Sequence, residues 1–244
     1  MHNILAIAKR ELMAYFGTPI AYVFLAIFVA LTGVFAFFIG NFFTRGVADL
    51  VPFFQYHPWL YLLLVPAISM RLWAEERKSG TIEMLMTLPV TTVEAVVGKW
   101  LAGWIFLGIA LVLTFPMWIT VNVLGDPDNG VILASYIGSF LVAGAFLAIG
   151  ACMSALTKNQ VIAFVVATVV CFLFVMGGSG IVLDTISGVF PPAFVQAVAN
   201  MSALTHFDNV SRGTFDVSDL VYFISLTAFW LFANVLVVEL KKAD

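Results

Sequence analysis

Long apolar runs separated by short polar stretches are the main pattern of this chain. Six runs approach or exceed the roughly 20 residues that a helix needs to cross a bilayer. They cover residues 20–39, 53–72, 96–124, 131–156, 161–183 and 220–238. Pro58 and Pro66 weaken the second run, whose firm apolar part covers only residues 59–70. The third run is long enough to be either tilted or kinked at Pro116. Because lipid satisfies no backbone polar group, the runs predict an all-α membrane protein with six transmembrane helices.

A shorter amphipathic segment precedes the first run. Five apolar residues recur at helical spacing on one face of this segment: Ile4, Leu5, Ala8, Leu12 and Tyr15. Lys9, Arg10 and Glu11 lie mainly off that face, and Pro19 ends the pattern. Such a segment is typical of a helix that lies in the headgroup plane of a membrane. We predict an N-terminal amphipathic interfacial helix over residues 3–16; a plain extension of the chain is the alternative.

The connection before the last run is also partly apolar. Residues 190–192 (Phe-Pro-Pro) mark a turn, and residues 193–201 are apolar but too few to cross a bilayer. Backbone that enters a membrane without spanning it is tolerated where protein or water covers it. Residues 190–213 therefore predict either short re-entrant helices or an ordinary surface helix. His206 is either a contact for cargo or an ordinary loop histidine.

The composition also indicates a membrane protein. Hydrophobic residues make up 62% of the chain and charged residues 10%, whereas a soluble domain carries about 25% charged residues. A formal net charge of −3 gives no reason to expect a nucleic-acid partner. Cys152 and Cys171 lie within apolar runs, so they predict neither a disulfide framework nor a metal site.

The basic residues set the predicted orientation, because lysine and arginine concentrate on the cytoplasmic side of membrane proteins. With the N-terminus inside, most basic residues fall in cytoplasmic segments: Lys9, Arg10, Arg71, Arg77, Lys78, Lys99, Lys158, Lys241 and Lys242. Only Arg45 and Arg212 fall outside. We therefore predict a multi-pass protein with both termini in the cytoplasm.

The most charged stretch of the chain follows the second run. Residues 75–83 hold five charges, and we predict a charged turn that ends at Thr81, a good N-cap residue. A short helix before Pro89 is predicted to carry three apolar side chains on one face: Ile82, Leu85 and Met86. Such a helix can dock in a groove of a soluble partner. A generic charged loop is the alternative.

The sequence offers no constellation of residues for catalysis. His2, His57 and His206 are far apart, no two carboxylates share a predicted span, and the phosphate-binding pattern GxxxxGK[ST] is absent. We therefore expect no catalytic residues, no bound metal and no ATP site of that kind. Predicted spans that are nearly free of charge also argue against an ion-coupled secondary transporter.

Residues 70–89 carry a family resemblance. Glu75, the pair Gly80-Thr81, Glu83 and Pro89 follow one another as in the hallmark segment of ABC-2 type transporter permeases. The resemblance extends over nearly the whole chain, including the entry helix, the six spans and the segment before the last span. Residues 206–213 and 216–222 are similar to the permease branch associated with bacterial gliding motility.

The resemblance implies a single ABC-2 type transmembrane domain over residues 1–244, which pairs with a second permease copy or a related permease. Residues 75–89 would form a coupling-helix loop seated on a cytoplasmic ABC ATPase dimer. Its implied contact residues are Glu75, Glu76, Gly80, Thr81, Glu83 and Leu85. Residues 3–16 would be a connecting helix that touches the same ATPase, and its charged residues are Lys9, Arg10 and Glu11. Residues 190–213 would form outer re-entrant helices, with His206, Asp208 and Arg212 as their polar residues.

No cofactor is expected on this chain, because the resemblance implies that ATP and Mg²⁺ bind to the partner ATPase. The expected function is that of the membrane subunit of an ATP-driven exporter in a bacterial inner membrane, with the cargo unassigned. The alternative is an ATP-driven membrane scaffold that transmits force or assembly signals to an extracytoplasmic apparatus without export. A test for cargo separates the exporter from the scaffold. The purified exporter moves a cargo, or its ATPase activity responds to one.

Overall fold

A computed structural model describes residues 2–80, 90–214 and 216–241, and every regular element within them is a helix. The helices are α1 (His2–Phe16), α2 (Pro19–Val34, continued by a π-helical turn, Phe35–Ile39), α3 (Val51–Phe54), α4 (His57–Ser69), α5 (Arg71–Ser79), α6 (Thr92–Val112), α7 (Pro116–Leu124), α8 (Asn129–Leu156), α9 (Gln160–Met176), α10 (Gly180–Ser187), α11 (Pro192–Asn200), α12 (Ala203–Ser211) and α13 (Val217–Leu240). The all-α prediction is confirmed for these residues.

The described residues contain four helical stretches that are long and apolar enough to cross a membrane. They are Pro19–Ile39, Thr92–Leu124, Asn129–Leu156 and Val217–Leu240. A fifth is obtained if α9 and α10, which are bent by 69° relative to each other, are counted together. Four to five candidate spans thus stand against the six that the sequence predicts. The helix is interrupted next to Pro116, where α6 ends at Val112 and α7 begins at the proline, although the two parts together form one candidate span.

The second predicted span, residues 53–72, is divided among three helices. Its central helix, α4, has 13 residues, which corresponds to about 20 Å at 1.5 Å per residue. The hydrocarbon core of a bilayer is about 30 Å thick. Pro58 stands in the first turn of α4 and Pro66 in its interior, where proline removes a helical hydrogen bond. This run is therefore too short and too interrupted to qualify as a span by itself.

The fifth predicted span, residues 161–183, is also shorter than expected. Helix α9 ends at Met176, and the Ser179 side chain accepts a hydrogen bond from Val182 N and caps a separate helix, α10. Because a capped N-terminus starts a new helix direction, the apolar residues after Ser179 do not extend α9. In residues 190–213, the structure forms two short helices, α11 and α12, and Ser202 caps the second.

Helix α8 is the centre of the fold. It packs against α4, α5, α6, α9, α12 and α13, and 67% of its apolar window is buried, compared with 17% for α13. Small residues let its neighbours approach closely, as at Gly144, where an added Cβ atom would lie 2.7 Å from Trp104 Nε1. Close approach at small residues is a common way for membrane helices to pack.

Candidate functional site

The charged residues of α1, α5 and α6 meet around the buried ammonium group of Lys99. The Lys99 Nζ atom lies 2.7 Å from Glu76 Oε1 on α5 and 3.3 Å from Glu11 Oε1 on α1. The Lys99 side chain is only 2% exposed, and its ammonium group lies 5.3 Å from the centroid of the Trp73 ring, within reach of a cation–π interaction. Glu11, Glu76 and Lys99 are called the charged junction below.

The close packing of α1 on α6 brings the charged junction together. A Cβ atom at Gly98 would lie 2.8 Å from Ile7 Cγ2, so only glycine lets α1 approach α6 this closely. The start of α6 is fixed by a capping box, in which Thr91 and Glu94 exchange side-chain and backbone hydrogen bonds. Asn3 Nδ2 donates to Glu94 Oε1 at 3.2 Å and ties the first turn of α1 to the same place. Lys99 consequently faces α1.

Glu11 is held as an anion by its two basic neighbours. Burial alone raises the pKa of Glu11, but the charges of Lys99 and Arg10 outweigh it, so its pKa lies below the usual value of 4.5. Arg10 Nη2 lies 2.7 Å from the same Glu11 Oε1 atom that Lys99 approaches. Hydrogen bonds and opposite charges of this kind stabilise the ionised carboxylate. The Glu11 carboxyl group is therefore ionised near neutral pH.

The lowered pKa of Glu11 predicts a pH-dependent contribution to stability. A carboxyl group with a depressed folded-state pKa stabilises the protein above its unfolded-state value and loses this effect as the pH falls through the folded-state value. At pH 7, we expect Glu11→Gln to lower the melting temperature in detergent by about 2–4 °C, as for a loss of roughly 1 kcal/mol in a chain of this size. The difference from the unmodified chain should shrink as the pH falls below 4.5.

The exposed Glu239→Gln provides a control for this measurement, because Glu239 lies at the end of α13, on a helix that contributes no residue to the charged junction. It should change the melting temperature little at any pH. A Glu11→Gln difference that is equally large at pH 7 and at pH 3 would contradict the assignment.

Helix α5 corrects the prediction for the first half of the coupling segment. Residues 75–79 were predicted as a charged turn, but they are helical, and the helix ends at Gly80 with a φ of +75°. An ion pair between Arg71 Nε and Glu75 Oε2, at 2.8 Å and four residues apart, supports this helix. Glycine adopts positive φ without a steric penalty and is the usual residue after a helix end.

The predicted ATPase-contact residues are only partly described. Glu76 lies in the charged junction, Glu75 lies beside it on the exposed face of α5, and Gly80 ends the helix. Thr81, Glu83 and Leu85 belong to residues 81–89, which lie outside the described residues. The predicted short helix before Pro89 therefore stays a prediction.

A cavity of about 280 Å³ opens beside the charged junction. Its lining residues come from α1, the residues next to it, α5 and α6: Glu11, Ala14, Tyr15, Thr18, Arg71, Leu72, Glu75, Glu76 and Lys99. Burial, reinforced by the nearby Glu11 carboxylate, raises the pKa of Tyr15, so its hydroxyl stays neutral at pH 7. The lining combines carboxylates, cations and a hydroxyl, which suits the binding of a polar group.

Residues 3–16, predicted as an interfacial helix, lie within α1, and their role as a connecting helix stays a prediction. Ile7 and Ala8 are buried against the fold, whereas Leu5, which belongs to the apolar face of the predicted interfacial helix, is 61% exposed. The reason is the gap at Gly98, which accepts Ile7 and so sets the rotation of the helix. Lys9 and Arg10 are exposed, as expected for the polar side of an interfacial helix.

The polar residues of the 190–213 segment form a second, separate cluster. His206 on α12 lies with Nδ1 2.6 Å from Asp219 Oδ1 on α13 and with Nε2 2.9 Å from Asn200 O on α11. Its ring stacks on Tyr222, with the ring centroids 4.0 Å apart. His206 was expected to be either a contact for cargo or an ordinary loop histidine, but it lies on a helix, and its contacts link three helices.

Asp208 and Arg212 stand apart from this link. Burial raises the pKa of Asp208 and the nearby Arg212 partly opposes the rise, while the Arg212 side chain is exposed. Helix α12 packs against Gly138, in the first half of α8, through Val210. The charged junction lies instead near the last turn of α8, where α5 packs. The structure thus places the two sets of predicted residues at opposite ends of the central helix.

Two central residues of these clusters were not predicted as site residues. The sequence indicates Lys99 only as one of the cytoplasmic basic residues and does not single out Asp219, although both are almost fully buried. In the sequence, each of them is a single charge at the edge of a long apolar run. A charged side chain in such a place is seldom fully buried unless it has a partner. Their partners lie far away in sequence, so the pattern alone did not identify them.

Sequence comparisons agree with this architecture. Residues 50–238 match a family model described as "ABC-2 family transporter protein". The chain is 28% identical over 161 residues to the probable multidrug ABC transporter permease YbhS of Escherichia coli strain K12, and the match covers 66% of this chain and 41% of that protein. The permease of the same name from Escherichia coli O157:H7 matches equally. The chain thus spans about two fifths of the length of these relatives.

The family match begins at the residue before α3 and extends to within two residues of the end of α13. It therefore includes α5 and α6, which carry two of the three residues of the charged junction. The similarity of residues 206–222 to the gliding-motility branch stays a prediction. On the extent of the family match, the chain belongs to the ABC-2 family of transporter proteins.

Proposed function

We propose that this chain is the membrane subunit of an ATP-driven exporter and that separate cytoplasmic ATPase subunits drive it. It pairs with a second permease copy or a related permease in a bacterial inner membrane, and ATP and Mg²⁺ bind to the ATPase subunits. The observation that carries this proposal is the charged junction, because it joins the helix that precedes the predicted coupling segment to two other helices.

The charged junction gives a physical route for force. Residues 81–89 follow α5 directly, so a displacement of these residues acts first on α5. Glu76 on α5 is bound to Lys99 on α6, which is also bound to Glu11 on α1. Ion pairs shielded from water are held more strongly than exposed ones. When the ATPase subunits close, α1, α5 and the start of α6 therefore move together.

Six crossings remain the proposed membrane arrangement. The four long spans are joined by α9 and by the short α4, which is packed against α8 and α9. A short helix at membrane depth is tolerated where other protein covers it. In this arrangement the charged junction and both described ends of the chain face the cytoplasm. Helices α11 and α12 are re-entrant on the outer side.

Export is favoured over a scaffold without cargo. The matched relatives are described as probable multidrug permeases, which supports a transport role for the present chain. The ion pairs of the charged junction are suited to transmitting motion. Its three residues do not combine a nucleophile with an adjacent general base. The hydrolysis of ATP is accordingly assigned to the ATPase subunits.

Charge reversal in the predicted coupling helix tests the proposal. We expect Glu83→Arg to weaken the association with the ABC-type ATPase encoded by a neighbouring gene about tenfold, equivalent to roughly 1.4 kcal/mol. The measurement is co-purification of the ATPase from detergent-solubilised membranes, quantified at several ATPase concentrations. The physical reason is the loss of an acidic partner and the introduction of a like charge at the docking surface.

Glu239→Arg is the matched control for this experiment. It makes the same charge reversal at an exposed position at the end of α13, on the same proposed side of the membrane. It should leave ATPase association unchanged. Equal co-purification with Glu83→Arg and the unmodified chain would argue against the coupling role. Equal weakening by both variants would point to a general effect of charge.

A further inference from the structure

The first turn of α5 is capped by a residue from another helix. Trp73 N and Ala74 N each donate to Ser154 Oγ at 3.1 Å, and the Ser154 hydroxyl donates to Met70 O at 2.8 Å. The first N–H groups of a helix have no acceptor within that helix. The side chain of Met70, which precedes α5, makes no capping bond. Ser154 on α8 therefore supplies the cap that a serine normally supplies to its own helix.

Helix α5 stabilises the end of α8 in return. Arg77 Nη1 on α5 donates to Ala155 O at 2.6 Å, and Lys241 Nζ, just after α13, donates to Leu156 O. The last carbonyl groups of a helix lack partners and carry partial negative charge, so cations are favourable there. Two consecutive residues of α8, Ser154 and Ala155, thus contact both the first and the last turn of α5.

The cap lies where water cannot replace it. Ser154, Trp73 and Ala74 are all fully buried. Buried backbone N–H groups are almost always paired, and leaving one unpaired costs a substantial part of its desolvation free energy. Removing the Ser154 hydroxyl therefore deprives two buried donors of a shared acceptor. It also leaves Met70 O without the hydroxyl that contacts it.

We infer that Ser154 is a positioning residue of the coupling path, which sets the place of α5 on α8 so that a displacement of α5 reaches the central helix. This inference rests on the proposed function. The charged junction ties α5 to α1 and α6, whereas the Ser154 cap ties it to α8. Without the cap, α5 still moves with α1 and α6, but α8 follows that motion less.

The first experiment tests the cap in the chain alone, by hydrogen–deuterium exchange and mass spectrometry in detergent. In Ser154→Ala, the amides of Trp73 and Ala74 should exchange about tenfold faster, which corresponds to roughly 1.4 kcal/mol. Ser154→Thr and Ser154→Cys keep a donor and acceptor atom, and at least one of them should restore slower exchange. The control is Ser135→Ala, a buried serine of α8 whose hydroxyl bonds only within its own helix.

The second experiment tests the coupling role in the assembled complex. Trapping the complex with ATP and vanadate should change amide exchange in the last turns of α8, residues 148–156. We expect this change to fall to less than about half in Ser154→Ala, while the ATPase still co-purifies normally. Ser135→Ala should behave like the unmodified chain, and the variant that restores the cap should restore the change.

Each outcome decides between the possibilities. Unchanged amide exchange at Trp73 and Ala74 in Ser154→Ala would overturn the cap. A restored cap without a restored response of α8, or a normal response in Ser154→Ala, would overturn the positioning role while leaving the proposed function intact. An unmodified chain that binds no ATPase would overturn the proposed function and the coupling role with it, whereas the exchange result for the isolated chain would still stand.

Discussion

Replacing Lys99 by methionine is expected to destabilise the chain more than any other single change at the charged junction. Methionine keeps the length and the apolar stem of lysine, but it leaves Glu11 and Glu76 without the ammonium group that lies 3.3 Å and 2.7 Å from them. Removing one partner of a buried ion pair typically costs about 3–5 kcal/mol. Both carboxylates here are partly exposed, so we expect about 2–3 kcal/mol, or a melting temperature lowered by roughly 5–10 °C.

The origin of this loss can be separated from packing. If the cost comes from removing the cation between two carboxylates, adding Glu11→Gln and Glu76→Gln to Lys99→Met should recover much of the stability, because the neutral side chains no longer need the ammonium group. Lys158→Met is the matched control, since Lys158 is exposed in the short connection between α8 and α9. It should shift the melting temperature by less than about 2 °C. The measurement is thermal unfolding in detergent, followed by tryptophan fluorescence.

The same variants also report on coupling. Lys99→Met disconnects α5 from α6 and α1, so the ATPase should still bind but drive the chain less effectively. The triple variant with Lys99→Met, Glu11→Gln and Glu76→Gln recovers stability without recovering the ion pairs. The ATPase should therefore still drive this variant poorly. A triple variant that recovers both stability and coupling would contradict the proposed role of the charged junction in transmitting force.

Local sequence patterns were sufficient for the long helices. The runs 20–39, 131–156 and 220–238 correspond to Pro19–Ile39, Asn129–Leu156 and Val217–Leu240 within three residues at each end. An unbroken apolar run is a local property, and a helix is the only structure that satisfies its backbone within a single segment in lipid. The break before Pro116 was equally predictable, because a proline inside a helix removes a backbone hydrogen bond, whereas a proline in the first turn of a new helix removes none.

The helix breaks and the charged junction depend on contacts between residues that are distant in sequence. Ser154 bridges the end of α4 and the start of α5, and it is 84 residues from Met70 in the sequence. Glu11 and Glu76 were both predicted as functional residues, yet their shared partner Lys99 is 88 and 23 residues away from them. No periodicity reports such pairings, so the sequence identified the charged side chains without showing that they meet.

Gly150 is the position on the central helix where an added side chain is expected to be least tolerated. A Cβ atom there would lie 2.6 Å from Ser69 Cβ on α4 and closer still to the Ser69 hydroxyl. Both residues are buried, and α4 packs against α8 along this line. Overpacking a well-packed interior typically costs about 1–3 kcal/mol. We expect Gly150→Ala to cost at least about 2 kcal/mol and Gly150→Val more.

A compensating substitution tests whether this contact is the cause. Ser69→Gly removes the atoms that the new methyl group would meet, so the double variant Gly150→Ala with Ser69→Gly should be more stable than the sum of the two single changes predicts. Residues in direct contact show such non-additivity, whereas distant ones do not. Gly33→Ala in α2 is the control, because the nearest atom to its Cβ position would be 3.9 Å away. Since Gly150 lies one helical turn before Ser154, a Gly150→Ala chain that is destabilised should also show faster exchange at Trp73 and Ala74. Additive effects of Gly150→Ala and Ser69→Gly would show that α4 and α8 are not in contact here, and the placement of α5 on α8 would then need another explanation.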